Sequence, residues 1–440
     1  MNIYVVQPGD TIFSIAGMYG VTAYQLIQDN ALENPYELVP GQTIVISYPK
    51  QTHTVIEGDS IESILNTYQI TFMQLLRNNP FLSERNFLYL GETLIISYNT
   101  IGSLSTMGYI FPFINMNTLR KTLPNLTYLS VLNYRTSEEG EIITSSDDTE
   151  IVQTAKDYGV VPLMMITTLT EQGEPNIEIE FSILLSKEYQ NQNIDKTLNI
   201  LKTKGYQGVN IIFNYINTTN YYLYEEFIAN VASRLNGEGY MIFVTINPHI
   251  DNINGEISFE KVDYSGISQH VNAMVFLRFI WGKNFGPPKP VSSITNLKAF
   301  IDYVLTTVEP EKIILGKPII SLNWELPFIQ GSSNSNALTL NATISLANDV
   351  NTTIQFDEIS YTPYFYYYDY NFGIPIQHIV WSIDARSINI LNRLVSDHGI
   401  YGTGVWNIMV YYRQLWLIIN SQYDIIKLLP DNQNTDFLLV

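Results

Sequence analysis

The chain has 440 residues, 46% of them hydrophobic and 15% charged, enough apolar material for two or three packed domains. Its 23 basic and 42 acidic residues leave a net charge of −19, which repels a nucleic-acid backbone and argues for no nucleic acid as a partner. There is no cysteine, and the five histidines (His53, His249, His270, His378, His398) lack metal-site spacing, so disulfides and thiolate sites are excluded and no cofactor and no metal are expected.

The first residues, MNIYVVQPGD, carry neither a basic n-region nor an apolar h-region, so the expectation is synthesis in the cytoplasm without a signal peptide. A repeat follows at once. The stretch 5 to 30 aligns with 55 to 79, pairing Gly9 with Gly58, Asp10 with Asp59, Ile12 with Ile61 and Asn30 with Asn79. The ends agree too, PGQTIVIS against LGETLIIS. Each copy predicts strand, helix, helix, strand, with a GD[ST] turn whose Asp and hydroxyl can cap a helix.

On these motifs the two copies, 1–48 and 51–98, resemble LysM modules, βααβ units that bind N-acetylglucosamine polymers such as peptidoglycan and chitin. The resemblance implies a groove between the loop after the first strand and the loop before the last. It assigns Gly9, Asp10, Thr11, Ile12, Asn30 and Leu32 to glycan binding in the first copy, and Gly58, Asp59, Ser60, Ile61, Asn79 and Phe81 in the second. The competing reading is structural: the aspartates cap helices and the isoleucines fill cores. Two weak sites on one polymer gain affinity through effective concentration.

After a small polar linker (99–106), apolar runs at 106 to 113, 126 to 134, 160 to 169, 208 to 215, 240 to 248, 271 to 280, 312 to 320 and 401 to 409 alternate with helical stretches. Eight such strands predict an α/β fold, a (β/α)8 TIM barrel over 107–430. The long interval between the seventh and eighth strands predicts a small α+β insertion at about 321–380 containing the tyrosine-dense TPYFYYYDYNFG, and 431–440 is left as a tail. The tyrosines at 364 to 370 read either as a glycan platform or as ordinary alternation in an antiparallel strand pair. The segment 411 to 429 carries Arg413, Asp424 and Lys427 at helical spacing, so it predicts an amphipathic closing helix and no membrane span.

Two LysM modules followed by this barrel, with FGPP at 285 to 288, SLNWELPFIQG at 321 to 331 and GIYGTGVWNI at 399 to 408, resemble bacterial spore cortex-lytic N-acetylglucosaminidases of glycoside hydrolase family 18. That resemblance implies hydrolysis assisted by the substrate's acetamido group, with a strand-four motif D-G-x-D-x-D-x-E whose Glu protonates the leaving oxygen. Here the acidic positions hold Gln207, Asn210, Ile212 and Asn214. On strand six the family's M-x-Y-D becomes Leu277, Arg278, Phe279 and Ile280. Asn214 cannot donate a proton as a carboxylic acid does, Ile212 cannot bear charge, and the Tyr hydroxyl and its acid are gone. No catalytic residue is therefore assigned.

Trp406 stands where the family keeps a tryptophan under the sugar, and Trp281 lies beside the old site; each is a glycan contact or a core residue. Arg278 predicts a nearby carboxylate. Glu225 and Glu226 read as a solvated helix face, and Asp384 as a structural partner of Arg386. The expected function is binding of peptidoglycan or N-acetylglucosamine oligomers by a degenerate barrel in a spore cortex, coat or other spore layer. The partner alternatives are self-assembly or contacts with spore coat or cortex proteins, and the functional alternative is an active N-acetylglucosaminidase using other acids.

Overall fold

The computed structural model describes residues 1–430 except 86, 171–172, 254, 279–285, 331, 334 and 372. In the first module, strand Asn2–Val5 pairs antiparallel with Thr43–Ile46, with Asn2 opposite Ile46. Helices Ile12–Tyr19 and Ala23–Asn30 lie between them. The first helix starts where the Thr11 hydroxyl accepts the Ser14 N–H and Ser14 Oγ accepts the Thr11 N–H, two otherwise orphaned donors satisfied reciprocally. It stops at Gly20, whose φ of 67° an L side chain adopts only with strain. The second module repeats the plan with strands Gln51–Thr54 and Thr93–Ser97, helices Ile61–Tyr68 and Phe72–Asn78, and a Ser60/Ser63 capping box.

Eight parallel strands close the barrel: Gly102–Ile110, Tyr128–Thr136, Val161–Thr167, Gly208–Phe213, Met241–Ile246, Ala273–Phe276, Ile313–Pro318 and Gly402–Trp406, referred to as first to eighth. Closure is direct, with Gly402 opposite Ser105 and Met107 opposite Tyr128. Each strand follows one of the apolar runs predicted for it. Alternation sorts the side chains: Met107, Tyr109, Leu163, Met165, Ile212, Phe243, Val275 and Ile314 fill the inside, while Val209, Ile211 and Phe213 face the helices.

Two boundaries differ from expectation. The linker is shorter than 99–106, because Gly102 to Ser105 already pair with the eighth strand or with a C-terminal strand, Tyr423–Ile425. The closing helix spans only Arg413–Asn420, since the chain turns there to add that strand beside the first. Among the described residues, no helix is long and apolar enough to cross a membrane.

Between the seventh and eighth strands lies a five-stranded antiparallel sheet ordered Ser335–Leu338, Ser321–Leu326, Ile374–Trp381, Thr362–Asn371, Gln355–Asp357, with helix Leu340–Asp349. Tyr366, Tyr368 and Tyr370 are exposed on one face, while Phe365 is buried on the other and Tyr367 stacks on His378 at 4.7 Å. Arg386 donates to Asp384 at 2.7 and 2.9 Å and lies 3.7 Å over Phe356, holding the turn into helix Ala385–Asp397.

Helix Arg413–Asn420 is buried on all sides because the modules pack on the face it turns away from the barrel. Gln414 donates to Asn30 Oδ1 at 3.0 Å and to the Thr43 carbonyl at 2.8 Å. Asn420 donates to the Arg77 carbonyl at 3.2 Å and to Asn125 Oδ1 at 2.7 Å. The core of the second module merges with that of the barrel, so no solvent layer separates the two.

Candidate functional site

The fourth strand turns Asn210 and Ile212 to its inner face, Asn214 follows one residue beyond its end, and their environments differ. Asn210 is fully buried, donating to Ser130 Oγ at 3.0 Å and accepting from Thr245 Oγ1 at 2.8 Å; Thr245 in turn meets the Tyr109 hydroxyl at 2.9 Å. This chain of neutral groups satisfies its members without a charge. Ile212 is 1% exposed in the inner apolar cluster with Leu277 and Trp406. Both polar atoms of the Asn214 side chain are buried and, among the described residues, have no hydrogen-bond partner.

One carboxylate does reach residue 214, and sequence reasoning missed it. Glu180, on helix Ile177–Leu185, accepts the backbone N–H groups of Asn214 and Tyr215 at 3.2 and 3.3 Å, the Tyr224 hydroxyl at 2.6 Å and the Thr168 hydroxyl at 2.9 Å. Tyr224 packs edge-on against Phe213, which faces the helical layer, so Glu180 comes from outside the barrel wall. Burial raises its pKa, against the lowering effect of its four donors. Its sequence signal, IEIEFSILL, does not distinguish it from a solvated acid. Glu226 meets Lys187 at 2.6 Å on an exposed surface.

Trp406 is 5% exposed and makes edge contacts with Tyr109 and Phe111, each with ring centroids at 5.8 Å. Such a ring is packed in the barrel with little of its surface open to a ligand. Phe279, Ile280 and Trp281 lie outside the described residues. The carboxylate expected near Arg278 is Asp251, which acts on it through space against the lowering of its pKa by burial, while the guanidinium donates to the carbonyls of Pro290 and Val291 at 3.4 Å.

In the modules, the residues matched between the repeats are mostly occupied with their own fold. Ile12 and Ile61 are core side chains. Asn30, 6% exposed, bonds both ways to Val45 and also to the Leu26 carbonyl, and Asn79 does the same with Ile95 and Leu75. Leu32 packs against the first core, and Phe81 lies 5.2 Å from the Arg85 guanidinium. Thr11 and Ser60 cap helices. Asp10 and Asp59 are not caps, as the capping expectation had it. Asp10 accepts Gln7 N–H and Tyr4 O–H at 2.7 and 2.6 Å, and Asp59 accepts Ile56 N–H and a ring nitrogen of His53, both at 2.8 Å. Those bonds shape the turns in which Gly9 and Gly58 adopt φ of 89° and 91°.

Gly9, Thr11, Gly58 and Ser60 are exposed, and so are aromatic side chains that the repeat did not single out. Phe13, in the first turn of helix Ile12–Tyr19, and Tyr36, in the loop before the last strand, are 61% and 75% exposed and stack at 6.1 Å. In the second, Phe87 and Tyr89 surround Arg85. Matching the repeats hid them, because Phe13 aligns with Glu62.

A closed (β/α)8 barrel with an insertion after its seventh strand and two βααβ modules in front defines a class, and the comparisons agree. Residues 110–409 match the model for glycosyl hydrolases family 18, and 4–47 and 53–97 match the LysM domain. The chain belongs to family 18 of the glycosyl hydrolases. It is similar to the cortical fragment-lytic enzyme of Bacillus anthracis, 29% identical over 97% of this chain and 99% of the relative. It is also 28% identical to the putative sporulation-specific glycosylase YdhD of Bacillus subtilis (strain 168), over 93% and 95%. The crystal structure of the Bacillus cereus spore cortex-lytic enzyme SleL superimposes with a TM-score of 0.77 at 29% identity, covering 97% of this chain and 99% of the other.

Proposed function

We propose that this chain is a glycan-binding member of its family that has given up hydrolysis, held on peptidoglycan by its LysM modules and working as a cell-wall-binding or structural protein of a spore layer. The observation that carries this reading is the strand-four face, where a neutral hydrogen-bonded amide and a packed isoleucine stand in place of acids. Glu180 is no substitute, because a general acid must come within about 2.6–3.2 Å of the oxygen it protonates, and this carboxylate is spent on four donors behind the strand. The spore setting rests on relatives that carry the words cortical, cortex-lytic and sporulation-specific in their names. Those names favour the second reading, a lytic enzyme working with other acids.

Sedimentation with purified peptidoglycan tests binding. The protein should pellet with the polymer and be released by N-acetylglucosamine oligomers. Pelleting alone, without polymer, would favour self-assembly as the main role, and failure to pellet in either case contradicts the reading.

A further inference from the structure

Two clefts meet where the first LysM module, the insertion and the end of the eighth strand come together. The first is an open cleft between residues 30–34 and 41–43 of the module and the insertion helix Leu340–Asp349. The second, also open, runs to Trp406 and Asn407 at the C-terminal end of the eighth strand. Leu340, Asn341 and Tyr412 line both, so the two adjoin at these side chains.

The walls are held in register by specific contacts. The Ile354 N–H donates to the Pro40 carbonyl at 2.9 Å, and Val39 shares a core with Phe365 and Val380 of the insertion. Gly41 approaches so closely that a Cβ there would lie 1.9 Å from the Ile354 carbonyl oxygen. Asn341 donates to Glu33 at 2.7 Å across the same junction.

The lining is selective in chemistry. Among the described residues neither cleft is lined by a Lys, Arg or His, and the first presents Glu33 and Glu37, while Asp384 is paired with Arg386, so an anionic ligand is disfavoured. Amides and hydroxyls such as Asn34, Asn348 and Ser345 match the hydroxyl and acetamido groups of a neutral sugar. Apolar walls beyond the junction suit the faces of pyranose rings.

We propose that the two clefts form one track for a single extended chain of N-acetylated hexosamines, in which the insertion supplies the second wall of the first module's binding site and leads the chain to the barrel mouth. This rests on the glycan-binding reading above. It makes module and barrel one rigid binding surface instead of two tethered sites.

The test is calorimetric titration of the full chain with the hexamer and the dimer of N-acetylglucosamine. The hexamer should bind at least tenfold more tightly than the dimer. Ser345→Trp, which fills the first cleft, and Val410→Trp, which narrows the second from a position 55% exposed, should each reduce hexamer affinity about tenfold without lowering the melting temperature. Val410→Trp should leave dimer affinity within twofold. Hexamer binding that survives both substitutions overturns the track and leaves the function standing; a wild-type chain that binds no hexamer overturns both.

Discussion

The carboxylate of Glu180 accepts the backbone N–H of Asn214 at 3.2 Å, one residue beyond the end of the fourth strand, and Tyr224, which also donates to it, packs on Phe213 on the helical side. That carboxylate is thus tied to the backbone at 214 from outside the barrel wall. Burial raises Glu180, so between its usual value of 4.5 and its folded value the native protein holds a proton that the unfolded chain has released. Its contribution to stability is complete below 4.5 and declines as pH rises through the folded value. Glu180→Gln removes this decline. In urea unfolding at pH 4 and pH 8, the variant should gain on the wild type as pH rises; a constant difference would show that the group does not titrate in that range.

Lys317 is fully buried on the outer face of the seventh strand, donating to Asn392 Oδ1 at 2.9 Å and to Thr403 Oγ1. Desolvation pushes it down to about 7 from 10.5. The unfolded chain binds the extra proton between those values, so stability is complete above 10.5, falls as pH drops towards 7 and is level below it. Lys317→Met removes this pH dependence, so its stability relative to the wild type should be higher at pH 6 than at pH 10, set against a constant cost of about 1–3 kcal/mol for leaving Asn392 Oδ1 without its donor. Thermal melting at the two pH values checks this.

Asn30 and Asn79 tie the second helix of each module to its last strand, and Asn30 also receives Gln414 of the barrel. Replacing either by Ala leaves buried backbone groups unpaired and should cost about 1–3 kcal/mol. Thr11→Ala, which removes only an exposed cap, should cost about 1 kcal/mol. Denaturant unfolding of the three variants should show this order; equal costs would mean the asparagines are not the ties.

The sequence made the barrel legible because parallel strands buried on both faces read as unbroken apolar runs, and the tandem repeat because Gly9, Asp10 and Ile12 serve the same turn and core as Gly58, Asp59 and Ile61. That the fourth strand carries Asn210 and Ile212, with Asn214 just after it and no acid among them, was equally legible. What stayed hidden depends on long-range geometry. Nothing local tells that Gln414 will meet Asn30, that Glu180 will stand behind Asn214, or that Val39 will enter the core of the insertion. The repeat comparison favoured positions that fold the module over Phe13 and Tyr36, which differ between copies and are exposed.

Those two aromatics carry the next prediction. Phe13→Ala and Tyr36→Ala each remove one ring of the exposed stack and should weaken peptidoglycan binding by roughly 5- to 30-fold, about 1–2 kcal/mol, with unchanged melting temperature. Unchanged binding in a quantitative pelleting assay would move the glycan contact elsewhere on the module.

The measurement that bears most directly on the proposed loss of hydrolysis is release of reducing ends from purified cortex peptidoglycan and from N-acetylglucosamine oligomers by the full-length protein. The neutral strand-four face predicts no release above a protein-free control across pH 4 to 9, and the same blank for Glu180→Gln. Steady turnover by the wild type, especially turnover abolished by removing that one carboxylate, would contradict it.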